Sequence, residues 1–215
     1  SWAVRGALGY ERFGISGDGF SGDGNRVQGG AVLKKLFGAT TLAGSVSLGY
    51  QALDQTRRVA TPAGLRNARG DPASLWLSAR LRASHAFALG EAVELEPFVD
   101  VGLGHQWSHG FTETGAGAFG LAVSDSEETY GTINPAVRVA AAFSAFGLDV
   151  EASGRAGLFA VLGDLERETT VRLAGVGPAG PGFTVKDRGQ NLFADLGVAV
   201  EAAVRENVTL EGSFD

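Results

Sequence analysis

Carboxylates and arginines gather on the polar faces of segments in which polar and apolar residues alternate. The acids are Glu94, Glu96, Asp100, Asp149, Glu151, Asp195, Glu201 and Glu211, and the arginines are Arg5, Arg80, Arg82, Arg138, Arg155 and Arg205. Clustered carboxylates can act as general acid and base or hold a metal ion. Because both signs of charge share the face, we favour mutual compensation in a watery lumen, with no catalytic, cofactor or metal site.

Nucleophilic catalysis by a serine, histidine and aspartate would require one of the three histidines, His85, His105 and His109. His85 and His105 fall on the apolar parity near predicted strand ends, where a position at the membrane interface explains them more simply. His109 falls in a predicted loop without an evident partner. We therefore predict that the chain is not an enzyme.

Two glycine-rich stretches have compositions found in binding loops. SGDGFSGDGN (residues 16–25) has the composition of a glycine–aspartate calcium loop, but it occurs once, so a turn-forming external loop is favoured. GLGHQW (residues 102–107) lies inside a predicted strand with no helix after it, which argues against a phosphate cradle.

The elements that must position the charges are β-strands. In residues 93–107 the polar side chains share one parity and Leu95, Val99 and Val101 share the other. Similar alternation predicts strands over 2–13, 26–37, 41–54, 74–88, 93–107, 129–143, 147–161, 191–205 and 207–215. This count is odd, whereas closed single-chain bacterial barrels favour even numbers, so we expect at least one further strand.

Connection lengths separate a membrane barrel from a soluble β-sandwich, which also alternates. The short connections are 37–41, 90–93, 144–147 and 205–207, and the long ones are 14–25, 55–73, 108–128 and 162–190. Strict alternation of short and long connections is typical of an outer-membrane barrel with periplasmic turns and external loops. It predicts that residues 2–13 run outward.

Composition excludes several classes of protein. The chain has 215 residues, a net charge of -6, 33 glycines and no cysteine. It has no Lys/Arg block, so nucleic acid is not an expected partner. No apolar run approaches the roughly 18 residues of a membrane-spanning helix. No signal peptide precedes the first strand, and strand-like sequence reaches both ends, so we expect a piece of a longer chain.

Aromatic residues near strand ends on the apolar parity are typical of interfacial girdles. Trp2, Tyr50, Trp107 and Phe143 fit this placement, whereas Trp76 has the opposite parity.

The stretch LEPFVDVGLGHQW (95–107) followed by SHGFTETGAGAFGLAVSDSEETYG (108–131) resembles the bacterial autotransporter β-domain. Pro97 opens the strand motif, and Phe111, Glu113, Gly115, Leu121 and Val123 match the "F-x-E-x-G" and "L-x-V" motifs. Residues 155–215 and the T-R-R of residues 56–58 are also similar, so the resemblance covers nearly the whole chain.

The resemblance implies an all-β fold, an antiparallel transmembrane β-barrel with twelve strands in the full family domain and about nine to ten here. Residues 1–215 would form this one domain, without the first strands and the last. Its implied function is that of an outer-membrane translocator and anchor of a Gram-negative bacterium, a hydrated pore for type V secretion of an upstream passenger.

The partners implied are outer-membrane lipid, the chain's own passenger and the outer-membrane assembly machinery, and we expect a monomer. The alternative is a porin-like channel or structural barrel. A barrel lipid hydrolase is less favoured, because it would need a serine and a histidine together on the lipid-facing side.

Overall fold

The computed structural model describes the chain except residues 146, 164, 165, 178, 179, 206, 207 and 215, and it describes only the backbone at 166, 167, 187, 188, 204, 205 and 208–211. The strands are β1 (Trp2–Gly17), β2 (Phe20–Phe37), β3 (Thr40–Thr61), β4 (Gly64–Gly70), β5 (Ala73–His85), β6 (Phe87–Ala88), β7 (Val93–His109), β8 (Phe111–Thr112), β9 (Leu121–Val123), β10 (Ser126–Ala145), β11 (Leu148–Gly163), β12 (Glu166–Leu173), β13 (Gly182–Arg188), β14 (Leu192–Arg205) and β15 (Val208–Phe214). Two short 3-10 turns span Gly117–Phe119 and Ala174–Val176. Within the described part, no helix has the length and apolar character needed to cross a bilayer.

The main sheet is an antiparallel meander in the order β1-β2-β3-β5-β7-β10-β11-β14-β15. Each of the nine predicted strands corresponds to one strand on this path, which confirms the antiparallel all-β architecture. Short turns join strands at one end, as at residues 38–39, where Gly38 adopts a φ of 60° that a side chain would strain. We call this end of the sheet the short-turn edge.

The predicted loops at the opposite end are built largely from strands, so those predictions were wrong. Residues 14–17 pair with 20–23 across a two-residue turn, which makes the candidate calcium loop at 16–25 part of a hairpin. Its glycines do not break the strands, because their hydrogen-bonding groups stay in the ladder. Among the other long connections, β3 runs on to Thr61 and pairs with β4.

A second, four-stranded sheet in the order β13-β12-β9-β8 forms at this end from the connections 108–128 and 162–190. We call it the outer sheet. The alternation of short and long connections is therefore real, but strand pairing continues well past the segments that were predicted as loops.

Several glycines of the main sheet are covered by aromatic rings from the next strand. Trp76 lies over Gly49, Phe13 over Gly24 and Tyr130 over Gly104, and a Cβ atom at any of these glycines would collide with the ring. Trp76 therefore lies on the face opposite the predicted aromatic girdle because its ring packs on Gly49. Close ring packing therefore helps to determine which residues oppose each other across the ladder.

Adding a single methyl group at Gly49 tests this packing. We expect Gly49→Ala to lower the free energy of unfolding by about 1–3 kcal/mol, because the Trp76 ring must move. Gly154→Ala is the matched control, since its Cβ would lie 4.0 Å from the nearest atom, the Gly197 carbonyl oxygen. Urea unfolding in detergent or vesicles, followed by tryptophan fluorescence, measures both. An equal loss in the two variants would contradict ring packing as the cause.

Candidate functional site: the charged concave face

The two faces of the main sheet differ in polarity, and the apolar face is the more exposed one, as a membrane protein requires. On β7, Val101 and Leu103 are 42% and 62% exposed, whereas Phe98 and Asp100 on the other face are 8% and 6% exposed. A soluble sandwich would bury the apolar side chains and expose the charged ones. The apolar face is therefore the outer, lipid-facing surface of a membrane-embedded sheet.

The polar face is concave. Arg82, Asp100, Asn134, Arg155 and Asp195 come from five different strands, yet they line one cavity of about 320 Å³ together with Arg80 and the rings of Phe159 and Phe193. Side chains from five strands reach one cavity only if the sheet curls around it. Three arginines and two aspartates line this space, so it carries an excess of positive charge.

The first ion pair in the cavity joins neighbouring strands. Arg82 lies opposite Asp100 in the β5–β7 register and donates to both carboxylate oxygens, from Nε at 2.7 Å and from Nη2 at 2.6 Å. The guanidinium carbon also lies 4.3 Å from the centroid of the Phe98 ring. Two-point bonding together with ring contact gives the arginine one defined orientation along the wall.

The second ion pair includes an amide that the sequence analysis missed. Asp195 accepts from Arg155 Nε at 3.0 Å and from Asn134 Nδ2 at 2.9 Å. Asn134 Nδ2 also donates to the Leu158 carbonyl at 3.2 Å. The β10–β11 ladder is interrupted at Asn134 and Pro135, between the pairs Ile133–Ala160 and Ala136–Gly157. Proline has no N–H to offer, so the neighbouring Asn134 side chain supplies a donor to the Leu158 carbonyl.

Only some of the remaining predicted charges are paired within the described residues. Arg138 Nη2 lies 2.5 Å from Glu151 Oε1, and Ser144 donates to Asp149 at 3.3 Å. In the part of the chain that the structure describes, no salt bridge involves Arg5, Arg80, Glu94, Glu96, Asp149 or Glu201. The side chains of Arg205 and Glu211 lie outside the described residues. That all these groups line one lumen stays a prediction.

Outside the main sheet, Glu113 is the most buried charged side chain of the family motif, with 2% of its side chain exposed. It accepts from Arg57 Nε at 3.2 Å and Nη2 at 2.6 Å, and from the Leu121 backbone N–H at 2.8 Å. Arg57 belongs to the T-R-R stretch, so two motifs that lie far apart in sequence meet here. Sequence reasoning identified both stretches but not their contact.

The other motif positions build the same region. Phe111 packs on Gly70, and Gly115 has a φ of 90° and lies so close to the Asn67 carbonyl that a side chain would not fit. Val123 pairs with both Phe111 and Val171, which joins β9 into the outer sheet. Pro97 is different, since it lies in β7 opposite Val137.

The histidines make local contacts. His85 Nδ1 lies 2.8 Å from Thr40 Oγ1, and His105 Nδ1 lies 2.5 Å from Thr129 Oγ1. The His85 ring lies against Phe87 and the His105 ring against Trp107, with the ring planes tilted by 55° and 58°. Among the described residues, no serine hydroxyl bonds to either ring, so the arrangement expected of a lipid hydrolase is not observed there.

An apolar outer face around a charged concave face defines the class of this protein as a transmembrane β-barrel. The model of the autotransporter β-domain family matches residues 1–215, and the chain belongs to that family. It is an outer-membrane translocator domain of the type V secretion system of Gram-negative bacteria.

Two solved structures match the chain. The translocator domain of autotransporter NalP from Neisseria meningitidis superposes with a TM-score of 0.63 at 15% identity, over 99% of this chain and 67% of that one. The ferric-catecholate import receptor Fiu from E. coli K12 has a TM-score of 0.44 at 11% identity, over 91% of this chain and 33% of that one. No curated protein matches the chain.

The Arg57–Glu113 pair allows a test of what stabilises the end of the protein opposite the short-turn edge. Arg57→Gln should speed protease cleavage between residues 110 and 125, because Glu113 loses two charge-assisted bonds. Since Arg57 is partly exposed, we expect a loss of local stability of about 1–3 kcal/mol. Limited proteolysis of the folded barrel measures this rate. Arg58→Gln is the control on the next, exposed residue, and equal cleavage of both variants would contradict the proposed role of the pair.

Proposed function

We propose that the concave face lines a hydrated passage through which a passenger segment, attached upstream, crosses the outer membrane. The observation that carries this proposal is one cavity lined by charged side chains from four strands and a polar amide from a fifth, behind an apolar outer face. Apolar residues of an extended polypeptide would adhere to an apolar wall, whereas a watery, charged wall leaves them free to move.

Ion pairing along the wall suits such a passage. Arg82 and Arg155 are each held by an aspartate, so their side chains lie along the wall instead of crossing the lumen. Arg80 lines the same cavity, is exposed and forms no salt bridge with any described residue. We infer that Arg80 contacts backbone carbonyls or carboxylates of the passenger as it passes.

The same proposal covers the remaining partners. We infer a monomeric anchor in outer-membrane lipid, inserted by the assembly machinery, with no catalytic centre of its own. Further strands next to β1 and β15 would complete the barrel, because an open strand edge in lipid leaves backbone N–H and C=O groups unpaired. Export would draw its energy from folding of the passenger outside the cell and not from nucleotide hydrolysis.

A disulfide cross-link tests the passage directly, because the chain contains no cysteine. Arg80→Cys is combined with one cysteine placed in the upstream segment of a passenger that is stalled during export. Leu81→Cys is the matched control, since the next residue along β5 is 64% exposed on the outer face. We expect a cross-link with position 80 and none with position 81, read as a mobility shift on non-reducing gels.

Equal cross-linking at both positions, or none at position 80 while the barrel is folded and the passenger is stalled, would contradict the passage. Steady ion conductance without any cross-link to the passenger would favour the porin-like alternative. Heat-dependent gel mobility reports folding of each variant and therefore separates failed assembly from a failed proposal.

A further inference from the structure

Lys35 is a cation on the lipid-facing surface. It lies directly opposite Trp2 on one side and Leu42 on the other, and these two neighbours are 62% and 46% exposed on the outer face. The Lys35 Nζ atom lies 4.3 Å from the centroid of the Trp2 ring and 4.4 Å from that of Phe37. Two aromatic rings therefore hold the ammonium group at one place on the outer surface.

The position of Lys35 corresponds to the level of lipid head groups. Trp2 and Tyr10 are outward-facing aromatic residues of β1, separated by eight residues or about 26 Å along the strand. Because barrel strands tilt by about 35–45°, this length spans roughly 20 Å of membrane height, most of the apolar band of about 25 Å between two aromatic girdles. Lys35 lies at the Trp2 end, near the short-turn edge.

No carboxylate neutralises this ammonium group within the described residues, where no salt bridge involves Lys35. Its neighbours Trp2, Phe37 and Leu42 are apolar or aromatic. A cation held in such surroundings at the membrane interface attracts an anion from the lipid. The anion present at that level is the phosphate of a phospholipid.

An apolar groove lies on the same face of the sheet, and its nearest lining residue in β2, Leu33, is two positions from Lys35. It has a volume of about 590 Å³ on the outer face, and small residues form its floor between larger aliphatic side chains. Its lining includes Val4, Ala31, Leu33, Gly44, Ala79 and Leu81. Leu33 lies on the same face as Lys35, two residues earlier in β2. The register aligns Leu33 with Gly44, Gly44 with Leu81 and Leu81 with Val101, so the groove starts on the bilayer side of Lys35 and extends across the neighbouring strands.

We propose that Lys35, Trp2 and Phe37 form a binding site for one anionic phospholipid. The phosphate accepts hydrogen bonds from the Lys35 ammonium group, and one acyl chain lies in the groove beside Val4 and Leu33. This site is separate from the passage for the passenger, and it requires only that the apolar face lies in lipid. An anionic head group is preferred, because a zwitterionic one carries its own neutralising ammonium.

Native mass spectrometry of the full-length protein in detergent tests the site, with phosphatidylglycerol and phosphatidylcholine of identical acyl chains added at equal concentration. We expect one phosphatidylglycerol to remain bound under activation that removes the other lipids. Lys35→Gln should reduce the retained fraction by about fivefold, the effect of one cation at a lipid surface. Lys34→Gln is the matched control, because the adjacent lysine has the opposite parity in β2.

Unchanged retention in Lys35→Gln, an equal loss in Lys34→Gln, or no preference between the two lipids would overturn the site. Retention of lipopolysaccharide in place of phosphatidylglycerol would also overturn it. Phe37→Leu keeps the charge and the apolar surface but removes one ring, so it provides a second expected loss should Lys35→Gln fail to fold. The measurement needs no passenger, so failure of export and failure of lipid binding are distinguishable.

Discussion

Hydrocarbon offers no partner for a backbone N–H or C=O group, and the rest of this structure depends on that constraint. A strand that crosses the membrane must satisfy both groups through its neighbours, which the long antiparallel ladders do almost residue by residue. Where the chemistry of the chain interrupts a ladder, a side chain compensates. At Pro135, the amide of Asn134 donates to the Leu158 carbonyl and also bonds to Asp195. The side chain that satisfies this backbone carbonyl is therefore also part of the charged wall.

The same constraint assigns opposite chemistry to the two faces. Side chains on the outer face meet lipid, so they are apolar, and the single described lysine among Trp2, Phe37 and Leu42 is held between rings at the interface. Side chains on the inner face meet water and each other. Arginine and aspartate can remain charged there, because Arg82 with Asp100 and Arg155 with Asp195 satisfy one another at a partly hydrated wall. A hydrated passage and a lipid-anchored exterior are two consequences of one alternating pattern.

Outside the membrane, water can bond to backbone N–H and C=O groups, so strand pairing is no longer obligatory there. Other contacts stabilise this part of the chain. The outer sheet pairs β9 with β8 and β12, so two connections that are far apart in sequence share hydrogen bonds. Glu113 and Arg57 join this region to the hairpin of β3 and β4. The family motif around residues 111–123 is therefore explained by the architecture of the outer end. Its glutamate is buried and paired within the fold, and it does not face the cavity of the proposed passage.

The sequence by itself determined the nine strands of the main sheet and their apolar parity, because alternation with a period of two and short polar turns are local properties. It also predicted which charged residues share a face. Only the tertiary structure decided that this face is concave, that Arg82 meets Asp100 and that Asn134 joins Asp195, since these contacts depend on register and curvature. It also decided that residues 14–25 form a hairpin and that Trp76 lies inward over Gly49. A glycine-rich sequence locally predicts a loop. In the folded sheet, an aromatic ring from the neighbouring strand packs on the glycine, and the local sequence does not indicate which residue that neighbour is.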